Sequence, residues 1–202
     1  MRTNLVKRFS NLVPASLYVR LRQPIERNYN MENGMIRKAL TGIQGLVLDM
    51  GCGSGEIQPH ISGIRIIGVE KNAKLLGYAR KKDYTSLVCG DITTLPFHNN
   101  IFEGVVLCKL GHHLDSMQMS AALKEAWRVL KPKGRLVFLD PLPPSRTTTL
   151  LHNLIARIEI GAHHRTPDES MPYFHDFGLV SMERFRKLSF DFYMLTFVPR
   201  DK

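Results

Sequence analysis

The sequence predicts an α/β fold. A mostly parallel sheet carries helices on both faces and ends in an antiparallel C-terminal edge hairpin. Two observations predict it. Five short apolar runs rich in Val, Ile and Leu alternate with helical stretches, the pattern of a parallel sheet covered on both sides. Near the C-terminus, two further strand-like runs follow one another with no helix between them, which requires antiparallel pairing. The 202 residues, 44% hydrophobic and 23% charged, suit one globular domain and exclude disordered and collagen-like classes.

The elements follow in order. Leu46-Val47-Leu48 is a first strand running into Asp49 and a glycine-rich turn. Ile64–Val69 is a second, Ser86–Cys89 a third, Glu103–Cys108 a fourth and Arg135–Leu139 a fifth. Helices are expected at Lys71–Lys82 and Met117–Leu130. In the latter, Ala121, Leu123, Ala126, Trp127 and Leu130 supply the apolar face. Thr147–Ile160 reads as a helix, and Val180–Ser189 with Phe190–Val198 as the hairpin. No repeat and no run of about 18 apolar residues occurs. Three cysteines are too few for a disulfide scaffold and point to a reducing, cytoplasm-like compartment.

The stretch Val47-Leu48-Asp49-Met50-Gly51-Cys52-Gly53-Ser54-Gly55-Glu56 is the most informative. A buried strand enters a glycine turn that opens a helix. Such glycines let a ligand approach the backbone closely. The dinucleotide fingerprint wants a glycine where Glu56 stands, and an acid there opposes a pyrophosphate. The second strand ends at Glu70, an acid suited to both hydroxyls of a ribose. The third ends at Gly90-Asp91-Ile92, where Asp91 can accept from an exocyclic amine and Ile92 can face a ring. Three strand ends thus put acids on one edge of the sheet, which suits a cationic nucleoside such as S-adenosylmethionine (SAM).

These segments resemble the class I SAM-dependent methyltransferases. The likeness rests on Asp49–Glu56, on Gly68-Val69-Glu70, on Gly90–Phe97, and on Glu125-Ala126-Trp127-Arg128-Val129-Leu130-Lys131-Pro132-Lys133-Gly134. It covers residues 42–141 in order and is nearest to the small-molecule branch that includes ubiquinone and menaquinone biosynthesis enzymes. The resemblance implies a Rossmann-like sheet of seven strands and SAM as cofactor. It implies a cofactor-binding set of Asp49, Gly51, Cys52, Gly53, Gly55, Glu70, Lys71, Asp91, Ile92, Cys108 and Lys109. Within it, Gly51 and Gly53 face the methionine part, Glu70 the ribose, and Asp91 with Ile92 the adenine. Cys108 and Lys109 border the methionine moiety. Cys52 also reads simply as a small buried side chain in the loop. The segment Lys109-Leu110-Gly111-His112-His113-Leu114-Asp115 departs from the version typical of quinone methylation, which counts against a quinone acceptor.

In methyl transfer the cofactor supplies the electrophile, so the protein must position the acceptor and take up a proton. His112 and His113, after the fourth strand, are the candidate bases, with Asp140 after the fifth as an orienting acid. The structural alternatives are a histidine packed on the sheet, a histidine capping the next helix, and an aspartate in a proline turn. His163, His164 and Arg165 are candidate substrate contacts. Their spacing to His175 and Asp176 matches no metal pattern, so no metal is expected.

The net charge is +10, from 28 Lys/Arg and 18 Asp/Glu. Residues 1–40 carry eight basic residues against two acids, a surplus of six. This stretch is expected to form a basic helical N-terminal cap (residues 1–40) to a catalytic domain (41–202). Leu5, Val6, Phe9, Leu12 and Val13 recur at helical spacing among its basic residues, which suits peripheral membrane contact through residues 1–30. The expected function is methyl transfer to a small-molecule or lipid-like acceptor, in a cytoplasmic, membrane-peripheral setting. RNA methylation is an alternative, but no basic stretch interleaved with aromatics supports nucleic acid as a partner. A non-catalytic SAM-fold partner subunit is a further alternative. Oligomeric state is open.

Overall fold

A computed structural model describes residues 29–55, 57, 61–143, 163–187 and 190–202. The sheet has seven strands: β1 (Gly45–Met50), β2 (Ile64–Glu70), β3 (Ser86–Cys89), β4 (Phe102–Cys108), β5 (Leu130–Pro141), β6 (Phe177–Lys187) and β7 (Phe190–Pro199). Their order is β3-β2-β1-β4-β5-β7-β6. The pairs β1–β2, β2–β3, β1–β4 and β4–β5 are parallel. β7 runs antiparallel to both β5 and β6, so the expected edge hairpin is present. The chain lays β2 and β3 on one side of β1 and β4 onward on the other. That reversal opens a crevice at the carboxyl ends of β1 and β4, where open α/β sheets bind ligands.

Alternate residues of the strands feed two cores, as the two-residue period of a strand requires. Leu48, Met50, Leu107, Leu136 and Phe138 face one layer; Val47, Val106, Val137 and Leu139 face the other. Helix α3 (Ser116–Val129) covers the first. Its N-terminus is fixed by a reciprocal box, in which Asp115 accepts from the Gln118 amide and the Gln118 side chain from the Asp115 amide. Its buried face is Met119, Ala122, Leu123, Ala126 and Val129, rotated from the one expected. Ala121 lies half-buried, and so does Trp127, whose ring lies under the Lys202 ammonium. Leu130 turns extended and becomes the first residue of β5. Each fully buried Leu or Phe in such a layer contributes about 1.5–3 kcal/mol.

Helix α1 (Asn30–Ala39) covers the second core through Ile36, with Leu40 following it. It lies within the expected N-terminal cap; the basic amphipathic stretch before it falls outside the described residues, as does the helix expected at Thr147–Ile160. Helix α2 (Ala73–Ala79) is shorter than expected, because the Asn72 side chain caps it by accepting from the Lys74 amide. The one-turn helix α4 (Pro167–Ser170) leads into a 3₁₀ turn, Met171–Phe174, whose Phe174 stacks on Phe197 at 4.3 Å. β5 runs longer than expected. Asp140 therefore lies inside the strand opposite Tyr193 rather than just beyond it. No helix among the described residues is long and apolar enough to cross a membrane.

Candidate active site

The glycine loop sits over the carboxyl end of β1. Gly51 and Gly53 have φ of +77° and +55°, the left-handed region that glycine enters without strain. The amides of Gly51 and Cys52 both donate to the Val69 carbonyl, which fastens the loop to β2. A Cβ on Gly68 would lie 2.8 Å from the Cys52 sulfur, so this glycine lets the loop approach the strand closely. Among the described residues, a Cβ on Gly53 would meet no atom within 4 Å.

Glu70 ends β2 and holds the loop from the other side. Its carboxylate accepts from the Gly53 amide at 3.2 Å and from the Asn72 amide at 2.8 Å. Each carboxylate oxygen has a second lone pair for a ligand hydroxyl. The Gly90 amide donates to the Glu70 carbonyl, which sets Asp91 beside this site. Asp91 accepts from the Thr93 amide and hydroxyl, and these bonds hold its carboxyl below the ordinary range. Ile92 is buried in the first core. Lys71 is exposed next to Glu70.

Asp49 is only 2% exposed and accepts a 2.6 Å hydrogen bond from the Tyr84 hydroxyl. Its carboxyl is thus held at the end of β1, behind the loop. Tyr84 also donates to the Ile57 carbonyl at 3.3 Å and lies against Gly55 and Gly68. No spacing in the sequence marks this tyrosine, which lies between α2 and β3.

Cys108 ends β4, and burial pushes its thiol up, so it stays protonated. The next residue, Lys109, is a non-glycine at φ +53°, a conformation that costs about 1–3 kcal/mol and persists only when its surroundings hold it. Its amide donates to Leu139, and its ammonium pairs with Glu32 at 3.0 Å over the Tyr29 ring. Glu32 is fully buried and also binds Lys187 at 2.8 and 2.9 Å. Burial pushes Glu32 up, but the two lysines outweigh it and hold the carboxyl below its ordinary range. The sequence gives Glu32 no motif; it is one of two acids in a basic segment. The Lys109 side chain thus reaches Glu32 on α1.

On the opposite face a second cluster forms. A 3₁₀ turn, Gly111–His113, follows β4. A Cβ on Gly111 would lie 2.5 Å from the Phe138 ring and 2.9 Å from Asp140, so only glycine lets the turn sit this close to β5. His112 Nδ1 and Asp140 Oδ1 are 2.8 Å apart, both groups almost fully buried. Burial pushes the Asp140 carboxyl up to about 7, while nearby His113, His164 and Arg165 pull it down. The His113 ring packs against His112 at 4.0 Å, and the His164 ring stacks on it at 5.1 Å and 9°. Arg165 donates to the carbonyls of Gly111, His163 and Leu114, so its guanidinium ties residues 163–165 to the turn. His163 itself is exposed, and its amide donates to the His112 carbonyl.

The structure therefore brings Asp49, Gly51, Cys52, Gly53, Gly55, Glu70, Asp91 and Ile92 around one loop at the crevice. His112, His113, Asp140, His164 and Arg165 gather at the ends of β4 and β5. Among the described residues no group of three His, Cys, Asp or Glu is arranged to hold a metal ion.

Residues 48–138 match the model of the family described as "Methyltransferase domain". A demethylmenaquinone methyltransferase of Thermotoga maritima is 34% identical over 108 residues, covering 49% of this chain and 44% of that protein. A probable tRNA methyltransferase 9B of Bos taurus is 32% identical over 93 residues, 46% of this chain and 20% of that protein. The chain thus spans less than half the length of either relative. Geranyl diphosphate C-methyltransferase of Streptomyces coelicolor A3(2), solved with Mg²⁺, geranyl diphosphate and S-adenosyl-L-homocysteine, superposes with a TM-score of 0.66. That match has 16% identity and covers 86% of this chain and 81% of that one. Residues 48–138 thus match the methyltransferase-domain model, and the seven-stranded sheet that carries them shares its Rossmann-like fold with a solved methyltransferase.

Proposed function

We propose that the protein is a SAM-dependent methyltransferase acting on a small-molecule or lipid-like acceptor. The observation that carries this is the acid-lined crevice at the β1/β4 switch point. Among the described residues nothing lies within 4 Å of a Cβ built on Gly53, the Glu70 carboxylate accepts from the Gly53 amide, and Asp91 follows the end of the neighbouring strand β3. The donor set fits the cofactor. Glu70 has acceptor capacity for ribose hydroxyls, Asp91 for an exocyclic amine, and Ile92 offers an apolar surface for a base. The acid-rich edge also favours a ligand that carries a sulfonium and an amine. When bound, SAM supplies an electrophilic methyl group on its sulfonium.

The chain's own residues do the rest. Gly51 and Gly53 keep the loop low enough for close approach, while Asp49 and Tyr84 hold it against β1 and β2. The cluster of His112, His113, Asp140, His164 and Arg165 forms the acceptor side. A basic segment before α1 supports approach of an amphipathic acceptor from an anionic surface. Sedimentation with anionic vesicles, with and without residues 1–30, tests that part; equal pelleting of both forms refutes it.

Calorimetry with S-adenosylhomocysteine tests the cofactor assignment. Wild type is expected to bind. Glu70→Ala should weaken binding by about 1–3 kcal/mol through the lost acceptor for the ribose hydroxyls. Glu70→Gln, which keeps one oxygen, should recover part of it. No binding at millimolar ligand would overturn the reading and favour a non-catalytic SAM-fold subunit.

A further inference from the structure

Two imidazoles at the ends of β4 and β5 are placed differently. His112 has Nδ1 committed to Asp140. His164 has both ring nitrogens buried, and neither has a hydrogen-bond partner among the described residues. A neutral imidazole carries one donor and one acceptor. Leaving such groups buried without partners costs about 1–3 kcal/mol each, so a ring held this way is poised for a ligand atom.

The ring is also held firmly. The His163 amide bonds the His112 carbonyl at 3.2 Å, and the Arg165 fork binds the carbonyls of Gly111 and Leu114 at 3.1 and 3.0 Å. These bonds fix the backbone on both sides of His164, and the ring lies flat against His112. Such bracing suits a group that must meet a substrate atom in one geometry.

The charges around it select the partner. From the 3₁₀ turn come His112 and His113, and from the 163–165 segment His164 and Arg165. β5 supplies the buried Asp140 carboxyl, α4 the exposed Glu169 carboxylate that acts on Arg165 and Tyr193, and β7 supplies Tyr193, whose hydroxyl pairs with Ser170 at 2.7 Å. The Arg165 guanidinium is the permanent charge acting on this cluster, and it disfavours an ammonium and favours an oxyanion.

Resting on the proposed methyltransferase activity, we propose that His164 takes the proton of a weakly acidic hydroxyl, a phenol or enol, on the acceptor. The O–H bond breaks and its proton goes to a His164 ring nitrogen. The freed electron pair forms the bond to the methyl carbon, and the carbon–sulfur bond breaks with its pair going to sulfur. The positive charge of the sulfonium ends on the imidazole, close to Asp140. Amines that are protonated in solution are poor acceptors for this site.

4-Nitrophenol is the probe, because its absorbance reports its own ionisation. It is titrated into the full chain with S-adenosylhomocysteine present, and S-adenosylhomocysteine binding is measured separately by calorimetry. The bound probe is expected to ionise at a pH about one unit lower than free probe, a tenfold change in its acid constant. His164→Asn and His164→Gln should abolish that shift while keeping the same thermal transition and S-adenosylhomocysteine affinity. His175→Asn, on the exposed surface, should retain the shift, and benzylammonium should not displace the probe. An unchanged shift in both His164 variants, or no probe binding at millimolar concentration, would overturn the proposal. Loss of S-adenosylhomocysteine binding in wild type would instead overturn the cofactor assignment.

Discussion

At the scale of single residues, two side chains set the geometry of the crevice without belonging to any motif. Tyr84 donates to buried Asp49 and so fixes the acid behind the glycine loop. Tyr84→Phe takes this donor away from the buried Asp49 carboxyl. It should lower unfolding free energy by about 1–3 kcal/mol in urea titrations. An unchanged midpoint would show that this bond contributes nothing net. Gly51, Gly53, Glu70 and Asp91 were legible in the sequence, because a strand end followed by a glycine turn or an acid is a local pattern. Tyr84 was not, because its distance from Asp49 in space is set by how the α2–β3 connection folds back over β1. The same holds for Arg165. Its guanidinium donates to the carbonyls of Gly111, His163 and Leu114, contacts that no spacing in the sequence marks.

At the scale of elements, α1 is fastened to the carboxyl edge of the sheet by charge as well as by Ile36. Glu32 on α1 joins Lys109 after β4 to Lys187 at the end of β6, in nearly complete burial. Breaking such a pair leaves cations without their anion, which costs about 3–5 kcal/mol. Glu32→Ala should therefore destabilise the protein by that amount and speed amide exchange over residues 30–40. A double-mutant cycle of Glu32→Gln with Lys187→Met separates the pair itself from general loosening of the helix. Because the lysines hold Glu32 below its ordinary range, its stabilising contribution is present above that range and is lost as pH falls through the lowered value. Helix α3 shows the limits of periodicity. Its existence was plain from the sequence, but its buried face was rotated, since the end of α3 becomes the start of β5 and Leu130 belongs to the strand.

At the scale of the whole molecule, the order of strands divides the labour. The β1/β4 reversal puts the acid-lined crevice at the centre of one edge, and the antiparallel β7 brings Tyr193 against Asp140 beside it. The pH dependence of global stability follows from that packing. Burial raises Asp140 from 3.8 to about 7, so its contribution to stability is present below 3.8 and is lost as pH rises through about 7. Asp140→Asn should flatten the stability profile across that window, an effect capped at about 4 kcal/mol. Parallel profiles in the two proteins would refute it. The sequence by itself determined the alternation of strands and helices, the C-terminal hairpin, the glycine loop and its acids, and where along the chain the positive charge collects. These depend on local spacing and backbone preference. Only the tertiary structure decided that His112 meets Asp140, that His164 stacks on His112, that Lys109 turns to Glu32 and that Tyr84 holds Asp49. Those pairings join residues far apart in sequence, and burial changes their chemistry only once the sheet has brought them together.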